Sequence, residues 1–521
     1  MDSQAPAIAV LTPTLAALIA FLLGQRNKVF CFPVVIAGLL IALCACFACL
    51  RQVVEHGVIT YKLGGWAAPR GIELKVDALS GIVLLVVAVV ALLTAIYGMR
   101  RVTEETPDKV PAYWALFSLL CTGLLGIVIA ADAFNVFVLL EVSSLTSYAL
   151  IALGSSKRGT LAAFQYVIIG TMGASFYLLG VGYLYLKTGS LAMGDIHEII
   201  NGRDLVGGAT LHDSSTIKVA FILMTLGIWI KMAFFPLHGW LSNAYTYSPS
   251  TTSCILAPLM TKVSVYLMLR IMFGVFGADY VFAHLDWSQI VVWLAVGAIV
   301  AGSLLALAQT KLKKMLCYLI VAEVGYMVGG AWLGTTEGLV GTAYHIVSDA
   351  LMTLCLFIGA SLFWRRFKTH DIDSLAGAFR KMPLTMTGFA LAGLSMIGVP
   401  PTCGFFSKWY LIRGAIEGSH YGYVVALLFS SLVNAILFFR IFEKAYYPAN
   451  LESADHHDHG AGADDSPHAH AVARPPAEYE EAPLSGLVAL YAGIVLIFVV
   501  GLFNGPIADL LRQALPVLSG P

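Results

Sequence analysis

Three lysines and one glutamate stand in segments that read as lipid-buried. Lys231 lies in GIWIKMAFFPLHGW, Lys262 in ILAPLMTKVSVYLM, Lys408 in GVPPTCGFFSKWYL and Glu141 in FNVFVLLEVSSLTSY. A charge at the bilayer centre costs about 3 kcal/mol on insertion scales. Four such charges in one chain point to the movement of ions or protons. A buried lysine facing a carboxylate has two states, a charged closed pair and a neutral, proton-loaded one. Glu141 and Lys231 are read as such a pair, against the alternative of a static buried ion pair. Lys262 is expected about 20 Å or more from either half-site at ordinary helix spacing. It is read as the link between them, against the alternative of snorkelling to an interface.

Histidines and acids extend the set. His238, two residues past Pro236, is placed to pass a proton near neutral pH or to bond a freed carbonyl. His345 and Asp349, in YHIVSDALM, share one helix face at i, i+4 and are read as a second-half relay. Glu323, in VAEVGYM, is a further relay candidate or a local hydrogen-bonding group. No residue set carries metal-ligand spacing with confidence, and no cofactor is expected.

The elements that must hold these groups are membrane helices. Hydrophobic residues make up 59% of the chain and charged ones 12%, with a mean hydropathy of +0.82; a soluble chain carries about twice that charge. Windows of roughly 20 apolar residues give about 14 spans. The continuous runs exclude a barrel, whose strands alternate every second residue. The seventh span (217–246) and the twelfth (384–412) are long and interrupted, at Pro236 and at Pro400 and Pro401. Proline removes a backbone donor and frees a carbonyl one turn earlier. Spans 4–8 and 9–13 read as two five-helix units with the break in the fourth helix of each, the arrangement that marks a transport site between repeats. The expected organisation is therefore 1–110 (helices 1–3), 111–275 (first repeat), 285–446 (second repeat), 447–483 (a loop) and 484–521 (helix 14).

Lys and Arg concentrate in alternate short loops, such as Arg100/Arg101/Lys109, Lys311/Lys313/Lys314 and Arg365/Arg366/Lys368. The opposite loops hold roughly half as many, which places both termini outside the cytoplasm. The first apolar stretch lacks a basic leader and a small-residue cleavage site, so it is expected to be a retained helix. The loop 447–483 carries five histidines scattered among Gly, Ala and Pro and is read as a disordered cytoplasmic connector rather than a metal trap. The nine cysteines are mostly in apolar spans and are read as small buried hydrophobes. The net charge of zero gives no reason to expect a nucleic-acid partner. No Walker loop or dinucleotide fingerprint is present, so the chain is read as no enzyme; its energy must come from a gradient or a partner subunit.

WAAPRGIELKVDALS, DAFNVFVLLEVSSLTSYALIALG, KMAFFPLHGWLSNAY, QTKLKKMLCY and GVPPTCGFFSKWYLIRG together resemble one family. It is the antiporter-like subunits shared by respiratory complex I, membrane-bound hydrogenases and the Mrp-type multisubunit cation/proton antiporters. The likeness covers nearly the whole chain. The Gly65–Trp66–x–x–Pro69 stretch and lysine at 408 make it most similar to the D-type subunits of the Mrp antiporters. No long lateral helix is expected after the fourteenth span.

The resemblance implies an inverted-repeat fold. It also implies a first half-channel at Glu141 and Lys231, a link at Lys262, a second half-channel ending at Lys408, and His238 as the histidine after the helix break. One departure stands out. The family's eleventh span runs histidine, histidine, lysine at four-residue intervals, and here it runs His345, Asp349, Thr353. The implied function is proton translocation within a multisubunit Na⁺ (or other monovalent cation)/proton antiporter of a bacterial or archaeal cell membrane. Its expected partners are other antiporter subunits, including a second antiporter-like one. The alternative is a proton-pumping membrane-arm subunit of a complex I-like or hydrogenase complex.

Overall fold

A computed structural model of the chain describes residues 4–66, 68, 71–202, 210–447 and 480–515. Three helices come first, α1 (Ala5–Arg26), α2 (Cys31–His56) and α3 (Ala78–Glu105), with an antiparallel hairpin, β1 (Ile59–Lys62) and β2 (Glu73–Val76), between the last two. A first set of five spans follows: α4 (Val110–Ile129), α5 (Ala133–Ala152), α6 (Lys157–Thr188), the broken pair α8 (Ser215–Met232) and α9 (Gly239–Tyr247), and α10 (Ser250–Ile271). The short α7 (Met193–Ile200) lies in the loop before α8. The second set is α11 (Ser288–Leu307), α12 (Leu312–Trp332), α13 (Thr336–Phe367), the broken pair α15 (Pro383–Ile397) and α16 (Cys403–Glu417), and α17 (Tyr421–Tyr446), with the short α14 (Ala378–Lys381) before α15. The chain closes with α18 (Leu484–Leu502) and α19 (Asn504–Ala514).

Thirteen described helices are long and apolar enough to cross a membrane. The fourteenth crossing is the α15–α16 pair, two helices of 15 residues each. The protein is thus an all-α polytopic membrane protein with the broken seventh and twelfth spans that the prolines predict. In both sets the first helix packs on the second, the second on the third, and the third on the broken span. Five crossings is an odd number, so the second set begins from the opposite face and the two are inverted.

Helices α10 and α13 form the centre. Every residue of the most apolar stretch of α13 is buried, and α13 packs against α3, α10, α12, α15, α16 and α18. A helix buried on all sides needs no amphipathic stripe, and its polar residues face protein rather than lipid.

The cysteines read as small buried hydrophobes are buried free thiols except the exposed Cys44, and Cys46 and Cys49 stand in a C-x-x-C spacing on α2. The histidines of the 447–483 loop fall outside the described residues.

Candidate functional site

The first break is built at the end of α8. Ala233 turns the chain at φ 60°, the left-handed region. The Trp240 indole donates to the Ile230 carbonyl at 3.0 Å, a second bond to an acceptor that also takes the Ala233 N–H where the helix stops. Lys231 occupies the last turn of α8 and is 3% exposed. Its ammonium lies 3.6 Å from Glu141 Oε1 and donates to the Ser144 hydroxyl at 2.7 Å. Glu141 and Ser144 are one turn apart on α5, so that helix presents both to the lysine. The Glu141 side chain is 24% exposed. His238 is near the break, but its Nδ1 is buried with no hydrogen-bond partner. Its ring stacks on Phe235 at 5.3 Å and faces Tyr318 at 6.5 Å.

The second break is held differently. Helix α15 ends at Gly398, at φ 100°, and α16 begins beyond Pro400 and Pro401. The Lys408 ammonium donates to the Met396 carbonyl at 2.8 Å and the Ile397 carbonyl at 3.2 Å, both freed by the break. It also donates to Ser431 Oγ at 3.1 Å and lies 5.4 Å from the centre of the Tyr326 ring. No carboxylate is paired with it directly, although Glu323 and Asp349 are near enough to act on it electrostatically.

Between the breaks lies a cluster that sequence reasoning had split. Lys262 is not remote from the second half: its ammonium sits 2.8 Å from Asp349 Oδ2, and the two side chains are 1% and 0% exposed. The 20 Å expectation assumed a lysine projecting from α10 toward neither half. In the fold, α10 packs directly on α13, so the pair meets across one helix contact. Thr353 donates to Asp349 Oδ1 at 2.7 Å. The departure from the family's eleventh-span pattern is therefore self-consistent. The acid at 349 receives the lysine of α10 on one oxygen and the hydroxyl at 353 on the other. His345 bridges Glu323 Oε2, at 2.7 Å, and Ser407 Oγ, at 2.9 Å. Glu323, read as a further relay candidate or a local hydrogen-bonding group, is fully buried at the heart of the cluster. Ligand atoms of Glu323, His345 and Asp349 lie within 4.8 Å of one another. With Lys262 already seated on Asp349, this is an ion-pair network in its own right. Ser407 ties it to Lys408, the next residue in the chain.

Ser144, Ser407 and Ser431 were missed by sequence reasoning, and Thr353 was noted only as standing where the family has lysine. Serines in apolar spans are common and usually bond their own helix, and nothing local distinguishes these three.

The arrangement holds two kinds of proton site. One is a lysine–carboxylate pair that either neutralises or separates. The other is an imidazole between a carboxylate and a hydroxyl. With Glu323 and Asp349 ionised and Lys262 and Lys408 charged, the second cluster balances when His345 is neutral. One added proton then gives it a single positive charge.

A family model described as NADH:quinone oxidoreductase/Mrp antiporter, transmembrane, matches residues 130–434. The chain is 39% identical over 519 residues to a Desulforudis audaxviator protein named as the N-type subunit of an NADH-quinone oxidoreductase, covering 99% of each. It is 28% identical over 420 residues to the D-type subunit of the Na(+)/H(+) antiporter of Bacillus subtilis, covering 81% of this chain and 80% of that one. A chain of an archaeal membrane-bound sulfane sulfur reductase superposes with a TM-score of 0.85 at 26% identity, over 98% of this chain and 97% of that one. A chain of the Mrp complex from a Dietzia species gives a TM-score of 0.84 at 22% identity with the same coverage, a likeness of fold.

Proposed function

The chain belongs to the NADH:quinone oxidoreductase/Mrp antiporter family of membrane subunits, and from that premise we propose that it carries protons for a multisubunit Na⁺/proton antiporter. The observation that carries this reading is the set of three lysines, each at most 5% exposed at mid-span. Two face carboxylates and the third rests on carbonyls opened by a broken helix. Buried charges of this kind cost several kcal/mol each, and hydrophobic replacements would stabilise the fold as well, so their retention is best explained by transport.

Protonation of Glu141 removes the partner of Lys231, and the stranded ammonium then gives its proton inward. The Lys262–Asp349 pair and the His345–Glu323 bridge receive charge in turn, and Lys408 releases it at the second break. His238 serves the first break from its unpaired Nδ1. The chain itself catalyses no covalent chemistry.

The basic loops all gather at one end, where Arg101, Lys311, Lys313, Arg365 and Arg366 line one cleft. This supports a cytoplasmic assignment for that end and an outward one for both termini, in the cell membrane of a bacterium or archaeon. The partly exposed Glu141 at mid-membrane depth supports a neighbouring subunit there, a second antiporter-like chain among them.

A second reading rests on one observation: a relative 39% identical over 99% of the chain bears the name of a quinone oxidoreductase subunit. In that case the same residues pump protons under redox drive. Inverted vesicles holding the whole complex test both. On the antiporter reading, added Na⁺ collapses an imposed pH gradient with native Lys231 and fails to do so with Lys231→Ala, assembly being equal. A gradient built by electron donors and indifferent to Na⁺ selects the redox reading. A native complex that moves no protons under either drive overturns both.

A further inference from the structure

The cleft at the basic end plays no part in the charge network above. It encloses about 780 Å³ between the ends of α3 and α13 and the starts of α10 and α12. Helix α3 lies in neither repeat, yet it is pinned to α10 at both ends. At the outer end Arg270 donates to Asp77 at 2.5 Å. At the cleft the Ser250 N–H and hydroxyl donate to Glu105 at 2.8 and 2.6 Å, and Arg101 pairs with Glu105 at 2.7 Å. Helix α13 packs on both α3 and α10.

The seam enclosed by these three helices is polar where a purely structural contact would be apolar. Arg101, Tyr97 and Thr94 follow one face of α3 inward from the cleft. Cys254 of α10 lies 3.7 Å from the Ser361 hydroxyl of α13. The Tyr97 hydroxyl, beside Ser361, and the Thr251 hydroxyl, beside Tyr113, are buried without a hydrogen bond of good geometry among the described residues. A buried hydroxyl left unpaired costs roughly 1–3 kcal/mol, and such groups are where buried water is held.

Deeper in, Pro258 stands inside α10 and cannot donate to the Cys254 carbonyl. That carbonyl accepts the Thr94 hydroxyl at 3.3 Å instead. Three residues on, about 4.5 Å along the axis, the Ala257 carbonyl accepts the Lys262 ammonium at 3.3 Å. The lysine is thus folded back toward the cleft, in the direction a helical side chain leans. Polar groups therefore recur along the seam from Glu105 at the cleft, through Thr94 on the Cys254 carbonyl, to Lys262 on the Ala257 carbonyl.

We propose that protons reach Lys262 from the cytoplasmic cleft along the seam between α3, α10 and α13. This rests on the proton-carrying reading and adds an entrance that neither repeat supplies alone. Glu105 and Glu104 collect a proton at the mouth, and hydrated Tyr97, Thr251 and Thr94 pass it inward. Lys262 gives one proton to the His345–Glu323 pair, becoming a neutral amine. One proton from the cleft restores the ammonium, and Asp349 stays ionised throughout. At Gly98 the walls already touch, since a Cβ there would lie 2.6 Å from Thr251 Cγ2.

The test uses the assembled complex in inverted vesicles, cleft side outward. Tyr97→Phe with Thr94→Val removes two hydroxyls and nearly no volume. The double variant should assemble, melt only slightly lower for the loss of the Thr94 bond to the Cys254 carbonyl, and carry protons about tenfold more slowly or worse. A second arm needs no transport. Of the nine cysteines, only Cys254 is kept, and Ag⁺ is added from the cleft side. Cys254 should be protected from later maleimide labelling of the denatured chain, and Cys254→Ser should show no such label. A double variant that carries protons at the native rate overturns the route, and so does a Cys254 that Ag⁺ never reaches. If Ag⁺ reaches Cys254 but the native complex moves no protons, the proton-carrying reading falls and the proton route falls with it. If protons move while Cys254 is out of reach, only the seam is lost.

Discussion

The two halves of this molecule hold a charged lysine at a broken helix in opposite ways. Lys231 precedes its break and is balanced by a carboxylate on a neighbouring helix, 3.6 Å away. Lys408 follows its break and is balanced by the backbone, through the Met396 and Ile397 carbonyls. The carboxylate of the second half, Glu323 on α12, holds the same place in its repeat as Glu141 on α5, but it is spent on His345. A carboxylate partner can be neutralised by a proton, while a carbonyl partner cannot. The first half is therefore built to separate its pair. The second is built to keep its lysine seated while charge changes nearby at His345.

The largest effect should come from the pair between the halves. Lys262→Ala leaves Asp349 ionised and fully buried, a loss of about 3–5 kcal/mol, read as a lower melting temperature in detergent. Lys262→Met with Asp349→Leu should restore most of that stability and none of the proton movement. If stability returns together with transport, the central pair is only structural.

Next comes the separable pair. Glu141→Gln keeps shape and hydrogen bonding but fixes the neutral state. Lys231, 3% exposed, loses its charge partner but keeps the Ser144 hydroxyl, so the stability cost should be about 3 kcal/mol or less, with transport lost in the vesicle assay. A variant that transports normally would remove the distinction between the halves.

The breaks themselves give a smaller contrast. Gly398 sits at φ 100°, where any side chain strains the backbone, and a Cβ there would touch Lys408 Cδ at an ordinary 3.4 Å. Gly398→Ala should cost about 1–3 kcal/mol and disturb the Lys408 seat. Ala233 already carries φ 60°, so Ala233→Gly relieves the turn and should change stability by no more than about 1 kcal/mol.

The narrowest effect, absent at neutral pH, concerns the loops that follow the third helix of each half. Each holds a histidine biased toward its neutral form. Burial, with Lys313 and Lys311 nearby, pushes His370 down to about 4 from 6.5. Burial and His284 press His212 down as well. A histidine whose pKa is lower in the folded state binds fewer protons there than when unfolded. Its contribution is full above the unfolded value, falls as pH drops below 6.5, and for His370 is exhausted near pH 4. Melting curves across that window should be flatter for His370→Gln than for the native protein, and less so for His212→Gln.

Much of this was legible from local pattern. The apolar runs fix the spans, and the prolines at 236, 400 and 401 fix the breaks, because both are properties of a few adjacent residues. The mid-span positions of Lys231, Lys262, Lys408 and Glu141 marked them, since a charge in lipid needs a reason wherever its helix lies. Glu323 was undervalued because its worth comes entirely from His345, 22 residues away. Lys262 was misplaced because its distance from Asp349 depends on which face of α10 meets α13.

The sequence by itself determined that this is a membrane protein of inverted helical units with ionisable groups held in its interior. Those features follow from hydropathy, from proline's missing donor and from the cost of a charge in hydrocarbon, and each acts within a turn or two of chain. Only the tertiary structure decided which charge faces which. Pairing joins residues as far apart as 141 and 231, or 262 and 349, and its energy falls steeply with distance and burial. A rotation of one helix by a single residue would break these contacts while leaving every local pattern intact.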